Sequence, residues 1–283
     1  MTSRRRLVTP RPSPALSPPE SLQRTAFRLR IELRRARHSQ RRDSLRLAAL
    51  LNDYGVLCKE HGRLREAEHS YRRALRLVGR PARHPELTAT LHHNLAGALH
   101  SRGRFSQALP IARRGLALRQ AIRPRNGAAL AADQAALAAI LVELRRFREA
   151  RALYRGALRR FRRALGARHC ELGATLAARG ALEARAGRWR AAERLLRRGI
   201  AGIERALGTE HPRLVAPLNN LAVVCARHGK TAEAVGCYRR ALRALPAGRA
   251  PRHPPEVAVR ANLRKLALAR KSGRVRSSQT SAG

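Results

Sequence analysis

Acidic residues are scarce in this sequence: 18 Asp and Glu stand against 61 Lys and Arg in 283 residues, a formal net charge of +43 at pH 7. Such an excess attracts polyanions and makes the chain repel itself. Lysine is scarce as well, only Lys59, Lys230, Lys265 and Lys271, so the charge is carried by arginine. A functional role and the codon bias of a GC-rich genome would both account for it. Aromatic residues make up a low 3%, beside the 44% hydrophobic content of an ordinary folded protein. The four cysteines, Cys58, Cys170, Cys225 and Cys237, include no C-x-x-C pair. That argues against a zinc site or disulfide framework and for free, mostly buried thiols in a reducing compartment. No apolar run is long enough to cross a bilayer, since Ala128 to Val142 is short and interrupted by Asp133. Met1 to Pro19 has Arg4-Arg5-Arg6 but no apolar segment behind it, so it does not read as a secretory signal. The prolines from Pro10 to Pro19 oppose the amphipathic helix of a transit peptide. Residues 1–19 are expected to form a disordered arm, and the chain to be soluble and cytoplasmic.

What is present is a repeat. A tight turn followed by a Glu-Ala-type run occurs at Gly62 (GRLREAE), Gly103 (GRFSQAL), Arg145 (RRFREAR), Gly187 (GRWRAAE) and Gly229 (GKTAEAV). The interval is 41 residues once and 42 three times, and self-similarity at such a period marks a solenoid. In each unit one segment with a period near 3.6 ends at the turn and another begins after it, which predicts a helical hairpin. Seven residues before the turn stands a small residue in every copy: Gly55, Ala96, Ala138, Gly180 and Ala222. Five after it stands Ala67, Ala108, Ala150, Ala192 or Ala234. Larger residues follow at Tyr71, Tyr154, Leu196 and Tyr238, with Ala112 the exception, and two after the turn come Leu64, Phe105, Phe147, Trp189 and Thr231. Small meets large across the hairpin, so the aromatics are expected in the core.

The pattern resembles the tetratricopeptide repeat, in the long-period form of kinesin light chains. The match rests on Leu207-Gly208-x-x-His211-Pro212, Leu218-Asn219-Asn220-Leu221-Ala222 and Tyr238-Arg239-Arg240-Ala241-Leu242, with echoes at Leu165-Gly166-x-x-His169, His84-Pro85 and His253-Pro254. It covers roughly Asp43 to Lys271. The resemblance implies an all-α, right-handed solenoid of helical hairpins over 43–83, 84–126, 127–168, 169–210 and 211–252. A capping helix over 20–42, a partial sixth repeat or cap over 253–271 and a loose tail over 272–283 complete the expected organisation. Departures are Arg145 for the turn glycine, Arg179 and Glu183 at positions that should be apolar, and Asn126-Gly127 in place of His-Pro. They predict a less regular middle.

In tetratricopeptide arrays the first helices line a concave face. The resemblance thus places Asn52, His93, Ala135, Ala177 and Asn219 in a groove, with Val56, Gly97, Ala139, Ala181 and Val223 four residues further on. Asn94 and Asn220 stand beside the first set, and Lys59, Arg185 and Arg227 near the rim. Asparagine amides can bond both edges of an extended backbone, and alanines leave room for a bulky side chain. Kinesin light chain grooves take short peptides with an aromatic flanked by acids, so the implied partner is a protein or peptide segment of acidic character. Alternatively the asparagines merely solvate their helices. On the second helices Arg72, Arg73, Arg113, Arg114, Arg155, Arg197, Arg198, Arg239 and Arg240 recur as a ladder. A phosphate backbone could neutralise it without base readout, which makes non-specific nucleic-acid binding the second functional reading. No aromatic interleaves the ladder to stack on single strands.

Other motifs carry no chemistry. Gly229-Lys230-Thr231 lacks the first glycine of a phosphate loop, Val224 standing in its place. His93 and His100 are about 10 Å apart along a helix, too far for one metal ion. Glu66, Glu149 and Glu233 recur with the repeat rather than as an acid–base pair. The expectation is a non-enzymatic interaction scaffold without cofactor or metal. The sequence leaves its oligomeric state open.

Overall fold

The computed structural model describes residues 24, 27–29, 31–32, 42–123, 126–245 and 257–267. The expected arm over 1–19, the tail over 272–283, most of the helix expected over 20–42 and the Pro-rich loop after 245 lie outside the described residues. The described residues form helices and turns only. In chain order they are α1 (Arg42–Glu60), α2 (Leu64–Val78), α3 (Pro85–Ser101), α4 (Phe105–Ala121), α5 (Gly127–Glu143), α6 (Phe147–Leu165), α7 (Cys170–Arg185), α8 (Trp189–Leu207), α9 (Val215–Arg227) and α10 (Thr231–Arg243). Residues 257–267 are also helical. Successive pairs form hairpins, the all-α solenoid that the repeat period implies. No described helix is long and apolar enough to cross a membrane.

The chain divides into two compact units, one ending at Gly79 and one beginning at Arg80. The first holds α1 and α2, together with helical residues upstream: Leu29 is buried and Glu32 pairs with Arg46 at 3.2 Å. The second holds the other four hairpins and residues 257–267, where Val259 is buried and Leu263 and Leu266 pack on the core of the last hairpin.

Each hairpin turn is built the same way. Gly62, Gly103, Gly187 and Gly229 take φ of 73 to 77°. The following N–H reaches back to a carbonyl five residues earlier: Arg63 to Cys58, Arg104 to Leu99, Arg188 to Glu183 and Lys230 to Cys225, at 2.8 or 2.9 Å. This satisfies carbonyls that the helix end leaves open. Arg145 adopts φ 60° and Arg146 bonds Leu141 at 2.8 Å, so the turn survives without its glycine. The left-handed arginine carries about 1–2 kcal/mol of strain that the other turns avoid.

Helix starts explain a second departure. His169 and His211 accept N–H bonds from Glu171 and Arg213 through Nδ1, at 3.3 and 3.1 Å. Asn126 does the same for Ala129 at 3.0 Å. Asn126-Gly127 is thus a substitute cap, of the kind that contributes about 1 kcal/mol.

Small meets large at the crossings as expected. A Cβ on Gly55 would lie 2.5 Å from Tyr71 Cε1, and one on Gly180 would lie 2.8 Å from Leu196 Cγ. Ala67, Ala108, Ala150, Ala192 and Ala234 are wholly buried, as are Tyr71 and Leu196. The expectation of buried aromatics fails two residues after the turn. Phe105, Phe147 and Trp189 are only half-buried, because that position opens each second helix at the end of the hairpin.

Candidate functional site

Within the second unit the first helices pack on one another, α3 on α5, α5 on α7 and α7 on α9. The second helices α4, α6 and α8 instead lie against the first helix of the next hairpin. The first helices are therefore the closely spaced inner row. That row carries His93 and Asn94 on α3, Ala135 and Ala139 on α5, Ala177, Ala181 and Arg185 on α7, and Asn219, Asn220, Val223 and Arg227 on α9. Asn52 and Lys59 sit on α1 in the other unit, where Asn52 donates to Asp53 at 3.3 Å and Lys59 is exposed.

These positions are not equivalent. Ala135, Ala139, Ala181 and Asn220 are half-buried, and Val223 is 40% exposed. Ala177 is buried, because its backbone N would lie 2.6 Å from a Cβ on Gly199: it belongs to the α7–α8 crossing and not to an open surface. Asn219 Oδ1 accepts from Asn262 Nδ2 at 3.0 Å, which ties α9 to the helix at 257–267. His93 Nδ1 lies 2.8 Å from Asp133 Oδ1. Asp133, with Arg119, is part of a buried network: Arg119 donates to Asp133 at 2.9 Å, to Glu86 at 2.6 Å and to Thr90 at 3.2 Å. His93 is thereby fixed as a structural tie between α3 and α5. The open part of the row is the stretch Ala139, Ala181, Asn220 and Val223.

The rim cations have partners too. Arg185 pairs with Glu143 at 3.0 Å, and Arg227 lies over the Trp189 ring at 5.2 Å from its centre. Each is exposed and keeps a solvent-facing edge.

The arginine ladder is partly consumed within the chain. Arg72 pairs with Glu68 at 2.9 Å. Arg113 reaches Glu149 at 3.6 Å, Arg197 reaches Glu233 at 2.5 Å, and Arg240 bonds Glu204. The recurring Glu149 and Glu233 thus staple one second helix to the next, an interaction of about 0.2–1 kcal/mol per exposed pair. Arg73, Arg114, Arg155, Arg198 and Arg239 form no ion pair among the described residues.

Three possible metal donors come together that sequence spacing did not show. Oxygens of Glu193 and Glu233 and the Cys225 sulfur lie within 4.8 Å of one another. Glu193 is already bonded to Lys230 and Arg197, each at 2.8 Å, and to His228 at 2.9 Å. Lys230 first, then Arg197, hold its carboxyl down to about 2. Burial pushes the Cys225 thiol up to about 12. A metal here would have to displace the Cys225 proton and compete with the three donors on Glu193, so the cluster is built as an ion-pair network. Burial also raises Cys58 and Cys237, so all three are inert core thiols.

Comparison with known proteins places these features in a family. Models of the tetratricopeptide repeat match residues 88–124, 128–205 and 218–252, together more than half of the chain. The fold is similar to the crystal structure of BtubC (BKLC) from P. vanneervenii, with TM-score 0.61 and 22% identity over 84% of this chain and 98% of that one. It is also similar to a putative kinesin light chain of Podosopora anserina with nearly identical TPR-like repeats, with TM-score 0.55 and 18% identity over 73% and 97%. NprR in complex with its cognate peptide NprX gives TM-score 0.58 and 16% identity over 89% and 68%. No curated relative matches the sequence.

Proposed function

We propose, for a chain that belongs to the tetratricopeptide repeat family, that its inner row of helices binds an extended segment of a partner protein. Repeat arrays of this kind act as interaction scaffolds, holding a partner along successive first helices. The observation that carries the reading here is Val223. It is a large apolar side chain, 40% exposed, four residues beyond Asn219 and beside Asn220 on α9. The equivalent positions on α5 and α7 are Ala139 and Ala181. An apolar side chain of the partner would fit over the two alanines against Val223. Asn220, which has no side-chain bond among the described residues, would take the partner's backbone amide. The exposed edges of Arg185 and Arg227 favour acidic residues flanking that anchor. The NprR–NprX complex is a peptide-bound example of a similar fold.

The test is selection of linear peptides from a displayed random library on the full chain, followed by titration of the selected peptides. Sequences with one bulky apolar residue flanked by Asp or Glu are expected. Val223→Asp is expected to weaken them by about tenfold or more, the equivalent of losing a buried apolar contact and placing a carboxylate against the acids. The helical signal should stay unchanged. Selected peptides that bind Val223→Asp as well as the native chain would refute the assignment.

A further inference from the structure

Between α6 and α8, over the outer side of α7, lies a furrow that the groove reading does not use. It has a volume of about 400 Å3 and is lined by Arg151, Arg179, Glu183, Arg188, Arg194 and Arg198, with Ala191 and Leu195. Arg198 is shared with an adjoining depression of about 330 Å3, where Arg162, Arg168 and Arg205 stand and no carboxylate does. Volumes of this size match small-molecule sites.

The charge arrangement is lopsided. Glu183 is buried at the base and already saturated: Arg151 grips it through Nε at 2.9 Å and Nη2 at 3.2 Å, and Arg188 through Nε at 2.5 Å. One carboxylate thus fixes two guanidinium groups in place and cancels a single charge. Arg194 and Arg198 have no ion pair among the described residues, and the Arg179 Nε is shut off from solvent without an acceptor. A buried donor without an acceptor is unfavourable by about 1–3 kcal/mol. Guanidinium groups stay charged and present planar forks that match phosphate oxygens.

The geometry points to this furrow as a binding site for a small multiply charged phosphate, a chain of two to four phosphoryl groups. Glu183 acts as the internal clamp that holds Arg151 and Arg188 open to it. The ligand's anionic oxygens would reach Arg194 and Arg198, and the chain would run across Arg198 toward Arg162 and Arg205. No Phe, Tyr or Trp lines either depression, and the one imidazole, His169 in the adjoining one, has its Nδ1 taken by the Glu171 N–H at 3.3 Å. With guanidinium groups as the main polar lining, the phosphate chain, free or carried by a nucleotide, is what the site recognises.

The test is calorimetric titration of the full chain with sodium tripolyphosphate, ATP and adenosine at about 0.15 M salt, where the Debye length of about 8 Å suppresses loose surface attraction. Saturable one-to-one binding of tripolyphosphate is expected, with ATP within about threefold of it and adenosine silent. The surface variant Arg194→Gln/Arg198→Gln is expected to weaken binding by about tenfold or more, through loss of two charge-assisted bonds. Arg114→Gln/Arg239→Gln removes the same charge from the ladder outside the furrow and is expected to leave affinity unchanged. Equal weakening by the two double variants would overturn the site in favour of net charge. So would absence of saturable tripolyphosphate binding alongside tight binding of long duplex RNA, which would assign the arginines to a nucleic-acid surface.

Discussion

Replacing Gly199 by alanine is expected to lower stability by about 3 kcal/mol, and by valine still more, because the added carbon has nowhere to go. A Cβ there would lie 2.6 Å from Ala177 N, 2.7 Å from Gly173 O and 2.9 Å from Ala177 Cβ, and two of those three neighbours are backbone. A flexible side chain could swing away, whereas the α7 backbone moves only if the hairpin opens. For a domain of this size such a loss corresponds to a fall in the thermal midpoint of roughly 10 °C. Gly236→Ala on α10 is the matched control, since nothing lies within 4 Å of its added carbon. Helix propensity alone makes that change neutral or stabilising by up to about 1 kcal/mol. Thermal melts followed by circular dichroism check both, and a Gly199→Ala midpoint equal to that of the native chain would contradict the close crossing.

Asp133→Ala is expected to be comparably damaging for a different reason. It removes the carboxylate that Arg119 and His93 share and leaves Arg119, 7% exposed, with only the exposed Glu86 to balance it. Breaking one side of a buried ion pair typically destabilises by about 3–5 kcal/mol, whereas replacing both sides with apolar groups is often neutral. The double variant Arg119→Met/Asp133→Leu should therefore recover most of the stability lost in Asp133→Ala. Urea unfolding of the two variants measures it. A loss below about 1 kcal/mol for Asp133→Ala would mean that the network is ornamental.

The turn spacing made the hairpins legible because the backbone demands it. A left-handed turn residue, a small residue seven before it and an alanine five after it are each imposed by a close crossing. The same spacing holds a second small layer, fourteen before the turn at Ala48, Ala89, Ala131 and Gly173 and twelve after it at Ala74, Gly115, Ala157, Gly199 and Ala241. All of these are buried, and Gly173 with Gly199 stands at a close backbone crossing, a Cβ on Gly199 falling 2.7 Å from Gly173 O. Counting outward from the turn by two helical turns more would have found it.

The candidate site was less legible. The family pattern placed the right helices on the inner row, but long-range partners decide which positions stay open. His93 is taken by Asp133 forty residues away, Asn219 by Asn262, and Ala177 by the Gly199 crossing. No local spacing encodes such pairings. Arg179 and Glu183 looked like irregularities of the repeat, and only the approach of Arg151 from α6 shows what Glu183 holds.

The most direct measurement is photo-crosslinking of a selected peptide that carries benzoylphenylalanine in place of its apolar anchor, with adducts mapped by mass spectrometry. A partner segment held on the inner row predicts adducts on α9 near Val223 and on α7 near Ala181, lost on competition with the unmodified peptide. Adducts confined to the second helices α8 and α10 would contradict it and place the interaction surface on the outside of the array.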